Sequence, residues 1–381
     1  MKVVIDASNL RAGGGLTHLL SLLGAAEPER HGITSVDVWS GRRTLDRLPS
    51  RPWLTARHHP ALDRSLPERL LWQRVELPRR VDRGLLFAPG GATASPVRPR
   101  VVMCRNMLPF EAVERARFGL TTTRARLELL RVAQSRQFTG ADGVIFLTQY
   151  ARDAILPQLS SPPRRHTIIP HGVDDSMRLA PREPRPRAAL TLADPLRLLY
   201  VSTVSPYKHF AAVADAAHSL RASGLPIAID FVGPSDDRES ARALAERIER
   251  YDPTGAYMTW RGGLSHADVA ERYRRAEVFV YASSCENLPN ILIEAMAAGL
   301  PIASSSRGPM PEVLGDAGLY FDPEDPAGLA LRLRELVESH ELRASLAQRA
   351  FERAADYRWD RCAEQTFAFL AEVLRESQGE R

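Results

Sequence analysis

Twice along these 381 residues, short β-branched and apolar runs alternate with helix-length segments, and a stretch without periodicity separates the two series. The first series is KVVID, SVDVWS, RGLLFAP, RVVMCRN, DGVIFLT and HTIIPHGVD. The second is LRLLYVS, IAIDFVG, AYMTWRG, EVFVYAS, LPIASS and GLYFDP. Strand, helix, strand repeated in this way calls for parallel sheets with right-handed crossovers. The segment between, APREPRPRAALTLADP at 180–195, is rich in proline and arginine and reads as a linker. The expected fold is therefore α/β, with two doubly wound Rossmann-like domains facing a central cleft. Residues 1–180 form the first, 181–358 the second, and 359–381 a C-terminal helix. Ligands of such sheets bind beyond the carboxyl ends of the strands.

The length agrees, being too great for one ordinary core. Apolar content of 44% and charged content of 25% are those of a globular chain, and no run approaches eighteen uncharged apolar residues. MKVVIDASNL reads as a first strand and not as a leader, because Asp6 interrupts a short apolar run. Cys104, Cys285 and Cys362 are far apart and form neither a metal-ligand spacing nor a disulfide framework, which fits a reducing cytoplasm. No metal site is expected. The net charge of +5, mostly arginine, suits an anionic partner or simply solvated faces. Nucleic acid is not expected, since no basic–aromatic interleaving or known module is present.

Three features carry chemistry. Gly13, Gly14 and Gly15 follow a strand and open an apolar helix, so backbone amides there can approach a phosphate or sugar. The dinucleotide fingerprint is not met, because Thr17 and His18 fall where its third glycine belongs; a nicotinamide cofactor is not expected. Lys208, in VSTVSPYKHF, falls after a strand and at a helix start, where a cation suits a diphosphate and not the helix dipole. The stretch 283–318 holds Glu286 at a strand's carboxyl end and Glu294 eight residues on, within ILIEAMAA. Pro289 sits in the first helical turn and Gly299 is a left-handed stop. The apolar neighbours Ile293, Ala295 and Met296 leave Glu294 little polar face, and a buried carboxylate needs a partner.

On these residues the chain resembles the retaining GT-B glycosyltransferases of family 4. The resemblance rests on Glu286–NLPNILI–Glu294 followed by AMAAGLPIASS, on PEVLGDAGLYFDP downstream, on the lysine loop, on PHGVD at 170–174 and on YRWDRCAEQTF near the end. It implies that Glu294 holds the ribose hydroxyls of a nucleoside diphosphate sugar and that Glu286 bonds the donor sugar. The amides of Asn287, Leu288, Asn290 and Ile291 would lie near sugar and phosphates, with Gly14, Gly15, Thr203, Gly262 and Arg307 completing the donor side. Lys208 would neutralise the departing diphosphate. No cofactor is implied; the sugar nucleotide is a substrate. The last helix would cross back onto the first domain.

The sequence departs from the family's pattern at three places. Thr203 stands five residues before Lys208 where many relatives carry arginine, so neutralisation falls to Lys208 with Arg307 or Arg105. Arg105 and Asn106 stand where many relatives carry His-Asp, and would contact donor or acceptor. The loop after Glu286 lacks the common glycine and aromatic residue. His18 and His171 fall near the crevice loops and are structural or functional. The resemblance implies a metal-independent hexosyltransferase, with a mannose-type donor and a saccharide or lipid-linked acceptor, in bacterial cell-surface polysaccharide synthesis. It would be cytoplasmic, with Arg115, Arg117, Arg124, Arg126, Arg131 and Arg136 able to hold an acceptor or an anionic membrane face. The alternatives are a GT-B epimerase or phosphorylase, and a non-catalytic nucleotide-sugar-binding subunit.

Overall fold

The computed structural model describes residues 1–82 and 84–379; Arg83, at the start of the predicted RGLLFAP strand, and residues 380–381 of the predicted C-terminal segment lie outside them. Two compact units emerge. One comprises Met1–Phe110, Leu120–Gly172 and Tyr357–Arg381, the other Glu111–Gly119 and Val173–Asp356.

The first unit runs β1 (Lys2–Asp6), α1 (Gly13–Ala25), β2 (Ser35–Ser40), α2 (Arg42–Leu45), β3 (Leu54–His58), α3 (Leu66–Val75), β4 (Leu85–Ala88) and β5 (Arg100–Met103). After α4 (Ala112–Ala116), which belongs to the second unit, come α5 (Thr122–Thr139), β6 (Gly143–Phe146), α6 (Gln149–Ile155) and β7 (His166–Ile168). The second unit continues with β8 (Leu196–Val201), α7 (Phe210–Ala222), β9 (Ile227–Val232), α8 (Arg238–Tyr251), β10 (Met258–Trp260), α9 (His266–Arg275) and β11 (Val278–Tyr281). Then follow α10 (Asn290–Ala297), β12 (Ile302–Ser305), α11 (Met310–Leu314), β13 (Gly318–Phe321), α12 (Pro326–Glu338) and α13 (His340–Ala354), and α14 (Trp359–Ser377) packs on α1 in the first unit.

The sheets are ordered β3-β2-β1-β4-β5-β6-β7 and β10-β9-β8-β11-β12-β13, and the pairings in both are parallel. Each sheet is wound outward from its centre, so the crossovers of its two halves lie on opposite faces and the loops after the central strands diverge. In the first sheet those strands are β1 and β4; in the second they are β8 and β11. The strands are buried on both sides, as apolar runs such as VFVY and LLFA require.

Three local details were not read from the sequence. LTARH forms an edge strand, β3, although its alternation is weak and its burial partial. Residues 111–139 hold two helices and not one, because Gly119 takes a left-handed φ of 55° between them. Lys208 lies not in a helical first turn but in a 3-10 turn, and α7 starts only after His209, whose φ is 48°. The segment 180–195 packs on the second unit: Arg185 binds Glu277 at 2.7 Å, Asp194 at 2.7 Å and the Pro195 carbonyl at 2.8 Å.

Candidate active site

The second sheet's switch point lies between β8 and β11, and the loops that leave it carry Lys208 and Glu286. Residues 78 positions apart in sequence thus form an ion pair, Lys208 Nζ to Glu286 Oε1, with side chains only 9% and 16% exposed. The same carboxylate oxygen accepts from the Tyr281 hydroxyl at 2.5 Å. Rings of Tyr207 and Tyr281 lie 5.0 and 5.8 Å from the ammonium, and the Tyr200 hydroxyl donates to the Lys208 carbonyl at 2.6 Å. Aromatic faces and a carboxylate both hold the ammonium in place. Burial, with Glu286 beside it, pushes the Tyr281 phenol well above its ordinary range, so it is a donor at neutral pH.

Glu294 stands on α10, the helix that follows the Glu286 loop. Its carboxyl is pushed up to about 7 by burial, helped by Asp174 and opposed by the Tyr273 hydroxyl, which donates to it at 3.2 Å. Tyr273 also reaches the Ile291 carbonyl at 3.3 Å. A carboxylate short of donors at the surface of an apolar helix is built to accept hydroxyls from a ligand. No side chain caps α10 and no acid lies in its first turn, so its positive end stays open toward the loop of Asn287 and Leu288, both buried. The Asn290 amide N–H donates to the Leu288 carbonyl at 2.9 Å, and its side-chain Oδ1 is buried with no hydrogen-bond partner among the described residues.

Gly308, in the loop after β12, has a φ of 61°, and a Cβ there would lie 3.9 Å from the Glu286 amide nitrogen. The neighbouring loop after β9 is tighter. Gly233, after β9, has a φ of 138°, and a Cβ would meet the Ser202 carbonyl oxygen at 1.8 Å and the Thr203 nitrogen at 3.3 Å. Its N–H donates to the carbonyl of Gly262 at 2.7 Å. Thr203 and Gly262 are therefore brought together at the carboxyl ends of β8 and β10.

Arg307 is committed elsewhere. Its guanidinium binds both oxygens of Asp322, at 2.8 and 2.9 Å, and Glu324 at 2.6 Å. Glu324 also takes Arg117 at 2.8 Å, and Arg117 takes Glu114 at 2.7 Å. Two arginines hold the Glu324 carboxyl down to about 2. Near the switch point of this unit, the other positive groups are Lys208 and the uncapped start of α10.

His209 was not singled out in the sequence, because left-handed backbone at a non-glycine leaves no signature in composition or period. Its ring nitrogen Nε2 lies 2.9 Å from Ser284 Oγ, and the Ser284 N–H donates to the Tyr207 carbonyl at 2.9 Å. Burial lowers the imidazole to about 4, so it is neutral. The strained turn, costing on the order of 1 kcal/mol, fixes Lys208 against the β11 loop.

In the first unit, Gly13–Gly15 are the first turn of α1, with no side-chain cap and no acid nearby in the helix. Arg105, in the loop after β5, lies over that turn: its guanidinium is 3.8 Å from where a Gly15 Cβ would stand and 4.0 Å from that of Gly14. Burial lowers Arg105 to about 10, still charged, and its Nη1 is buried with no hydrogen-bond partner among the described residues. Asn106 is exposed and turns back to accept from the Leu108 N–H at 3.1 Å. His18 and His171 are stacked, with ring centroids 4.3 Å apart, and Trp359 of α14 lies 5.6 Å from His171. Burial first, then His171 and Arg105, holds His18 well below its ordinary range. The pair joins α1, the loop after β7 and α14.

Residues 183–353 match the family described as Glycosyl transferases group 1. The chain is 28% identical over 172 residues to the O-antigen chain mannosyltransferase B of Escherichia coli, 44% of each sequence being covered. The curated relatives it matches are spanned over 44%, 25% and 56% of their own length in three instances. Sucrose-phosphate synthase from Thermosynechococcus elongatus superposes with a TM-score of 0.73 at 19% identity, covering 100% of this chain and 99% of the other. The Anabaena protein HepE, solved with UDP and glucose, does so with a TM-score of 0.68 at 18% identity and the same coverage. The fold is GT-B, and the match to the Glycosyl transferases group 1 family covers the residues that carry Lys208, Glu286 and Glu294.

Proposed function

We propose that this protein is a retaining, metal-independent hexosyltransferase of family 4, taking its sugar from a nucleoside diphosphate donor. One observation carries the reading: the group 1 domain places a buried Lys208–Glu286 pair at its switch point and a donor-starved Glu294 on the next helix. Glu294 accepts the ribose hydroxyls. Lys208 leaves Glu286 for the diphosphate, and Glu286, held by Tyr281, turns its freed lone pairs to the sugar hydroxyls. The open end of α10 supplies the remaining positive charge, the role a metal plays elsewhere.

In the reaction the acceptor oxygen bonds the anomeric carbon on the face that the diphosphate leaves. The anomeric C–O bond breaks with its electrons on the phosphate, and the acceptor's proton passes to that phosphate. No carboxylate nucleophile is needed, and neither glutamate has that part. Arg105 and the amides of Gly14 and Gly15 would take an anionic group of substrate. HepE's complex with UDP and glucose supports a UDP-hexose, and the mannosyltransferase relative supports mannose as the sugar. A saccharide or lipid-linked saccharide of a bacterial surface polymer is the proposed acceptor, and the cytoplasmic side the proposed location.

The test is a thermal-shift screen of nucleoside diphosphate sugars on the wild type, Glu294→Ala and Lys208→Ala, followed by transfer assays. A ligand that binds only the folded chain raises its melting temperature. A donor should stabilise the wild type and lose most of that effect in both variants. No stabilisation by any sugar nucleotide would end the proposal.

A further inference from the structure

The described residues include ten exposed large apolar side chains, and seven of them lie in one stretch of the first unit, from Leu66 to Val132; Val113, Leu192 and Leu331 are the others. On α3, Leu66, Leu70, Leu71 and Val75 are 51%, 39%, 64% and 41% exposed, while Trp72 and Gln73 are buried. Leu66 with Leu70, and Leu71 with Val75, are two pairs at four-residue spacing that share the outward half of the helix, away from Trp72 and Gln73. On α5, Leu129 and Val132 are 73% and 40% exposed, opposite the buried Leu127, Gln134 and Phe138.

The two stripes belong to one layer. Crossovers β3 to β4 and β5 to β6 step the same way along the sheet, so right-handedness puts α3 and α5 on the same face. The register agrees. Val4 and Leu86, paired across β1 and β4, share a core cluster with Trp72 of α3. Phe146 of β6 meets Phe138 of α5, whereas Gly143, three residues earlier, backs onto Phe369 of α14 on the other face.

Charge selects the occupant. The sole acid of α5 is Glu128, which pairs with Arg131. Arg124, Arg126 and Arg136 make no ion pair among the described residues, and Arg126 and Arg136 stand one turn either side of the Leu129–Val132 stripe. Arg117 is excluded, being spent on Glu114 and Glu324. A second copy of the chain on this face would bring arginines against arginines. A bilayer carrying anionic headgroups accepts the leucines in its boundary and the guanidinium groups at its surface, with the arginine stems lying along the apolar stripe. We propose that the α3–α5 face of the first unit docks on a membrane leaflet rich in anionic phospholipid, so that the enzyme works at a lipid surface without a spanning segment.

The experiment is co-sedimentation of the full chain with vesicles of phosphatidylcholine alone and of phosphatidylcholine mixed with phosphatidylglycerol. Binding is expected to the mixed vesicles, to weaken with salt, and to be nearly absent on the neutral ones. Each basic group near such a surface contributes about fivefold, so the Arg124→Gln, Arg126→Gln, Arg136→Gln triple variant should bind roughly a hundredfold more weakly. Leu71→Glu with Leu129→Glu should abolish binding. All sites are exposed or partly so, and an unchanged melting temperature establishes that the variants fold. No binding of the wild type to mixed vesicles, or undiminished binding of either variant, overturns the proposal. So does a concentration-dependent dimer in the absence of lipid that the leucine variants break.

Discussion

The two units handle positive charge in opposite ways. In the second, every cation near the switch point is already answered: Lys208 by Glu286, Arg307 by Asp322 and Glu324, Arg117 by Glu114 and Glu324. In the first, Arg105 lies half-buried over the open end of α1, and among the described residues no carboxylate stands against it. The difference teaches that an anion would bind by exchange in one unit and by completion in the other. An anion entering the second unit must draw Lys208 from an existing partner. An anion reaching Arg105 displaces only water or nothing, and satisfies a group whose burial was costly.

The largest effect is expected from breaking the exchange. Lys208→Ala should lower the transfer rate roughly a thousandfold, the scale of losing a group that stabilises charge developing in the transition state. It also strands Glu286, which keeps only Tyr281, and should cost about 3 kcal/mol of stability. The double change Lys208→Met, Glu286→Gln removes both charges. It should recover most of the stability in urea unfolding while transfer stays lost. Recovery of transfer in the double variant would mean that Lys208 serves only to neutralise Glu286.

Breaking the completion should have a smaller effect of different character. Arg105→Met keeps the length of the side chain and removes its charge. A charged hydrogen bond to substrate is worth ~1.5–3 kcal/mol, so kcat/KM should fall by roughly ten- to a hundredfold. Stability should hold or rise by about 1 kcal/mol, because an unpaired, half-buried charge has gone. A structural arginine would give the reverse: lower urea stability and unchanged kinetics.

How much of this was legible follows the same division. The alternation of strands and helices, the Glu286-to-Glu294 spacing, the Gly299 stop and the Lys208 loop are local patterns, and local patterns survive folding. Gly299 does take a left-handed φ of 62°, and α10 spans Asn290–Ala297 within the stretch expected. What could not be read depends on residues distant in sequence. Arg307 looked available until Asp322 and Glu324 were placed beside it, and the Lys208–Glu286 pair forms over 78 residues of chain. LTARH pairs at an edge, where one neighbour suffices and apolar patterning is relaxed. The left-handed turn at His209 is imposed by packing around Ser284 and Tyr207, against the preference of a residue with a Cβ.

Glu294 gives the smallest expected effect and the one that separates the empty site from the occupied one. Its carboxyl is raised to about 7 in the folded chain, from an ordinary value of 4.5. A raised acid binds its proton more tightly when folded, so it stabilises the fold fully below 4.5 and loses that contribution as pH climbs through 7. The unliganded protein should therefore lose on the order of 2–3 kcal/mol between pH 4.5 and 8, a slope that Glu294→Gln removes. Donor binding runs the other way. Ribose hydroxyls need the ionised carboxylate as acceptor, so binding expels the proton and tightens about tenfold from pH 6 to pH 8. Isothermal titration in two buffers of different ionisation enthalpy reads the proton directly. Uptake on binding, or an affinity flat with pH in the wild type, would place the ribose away from Glu294 while leaving the Lys208 exchange standing.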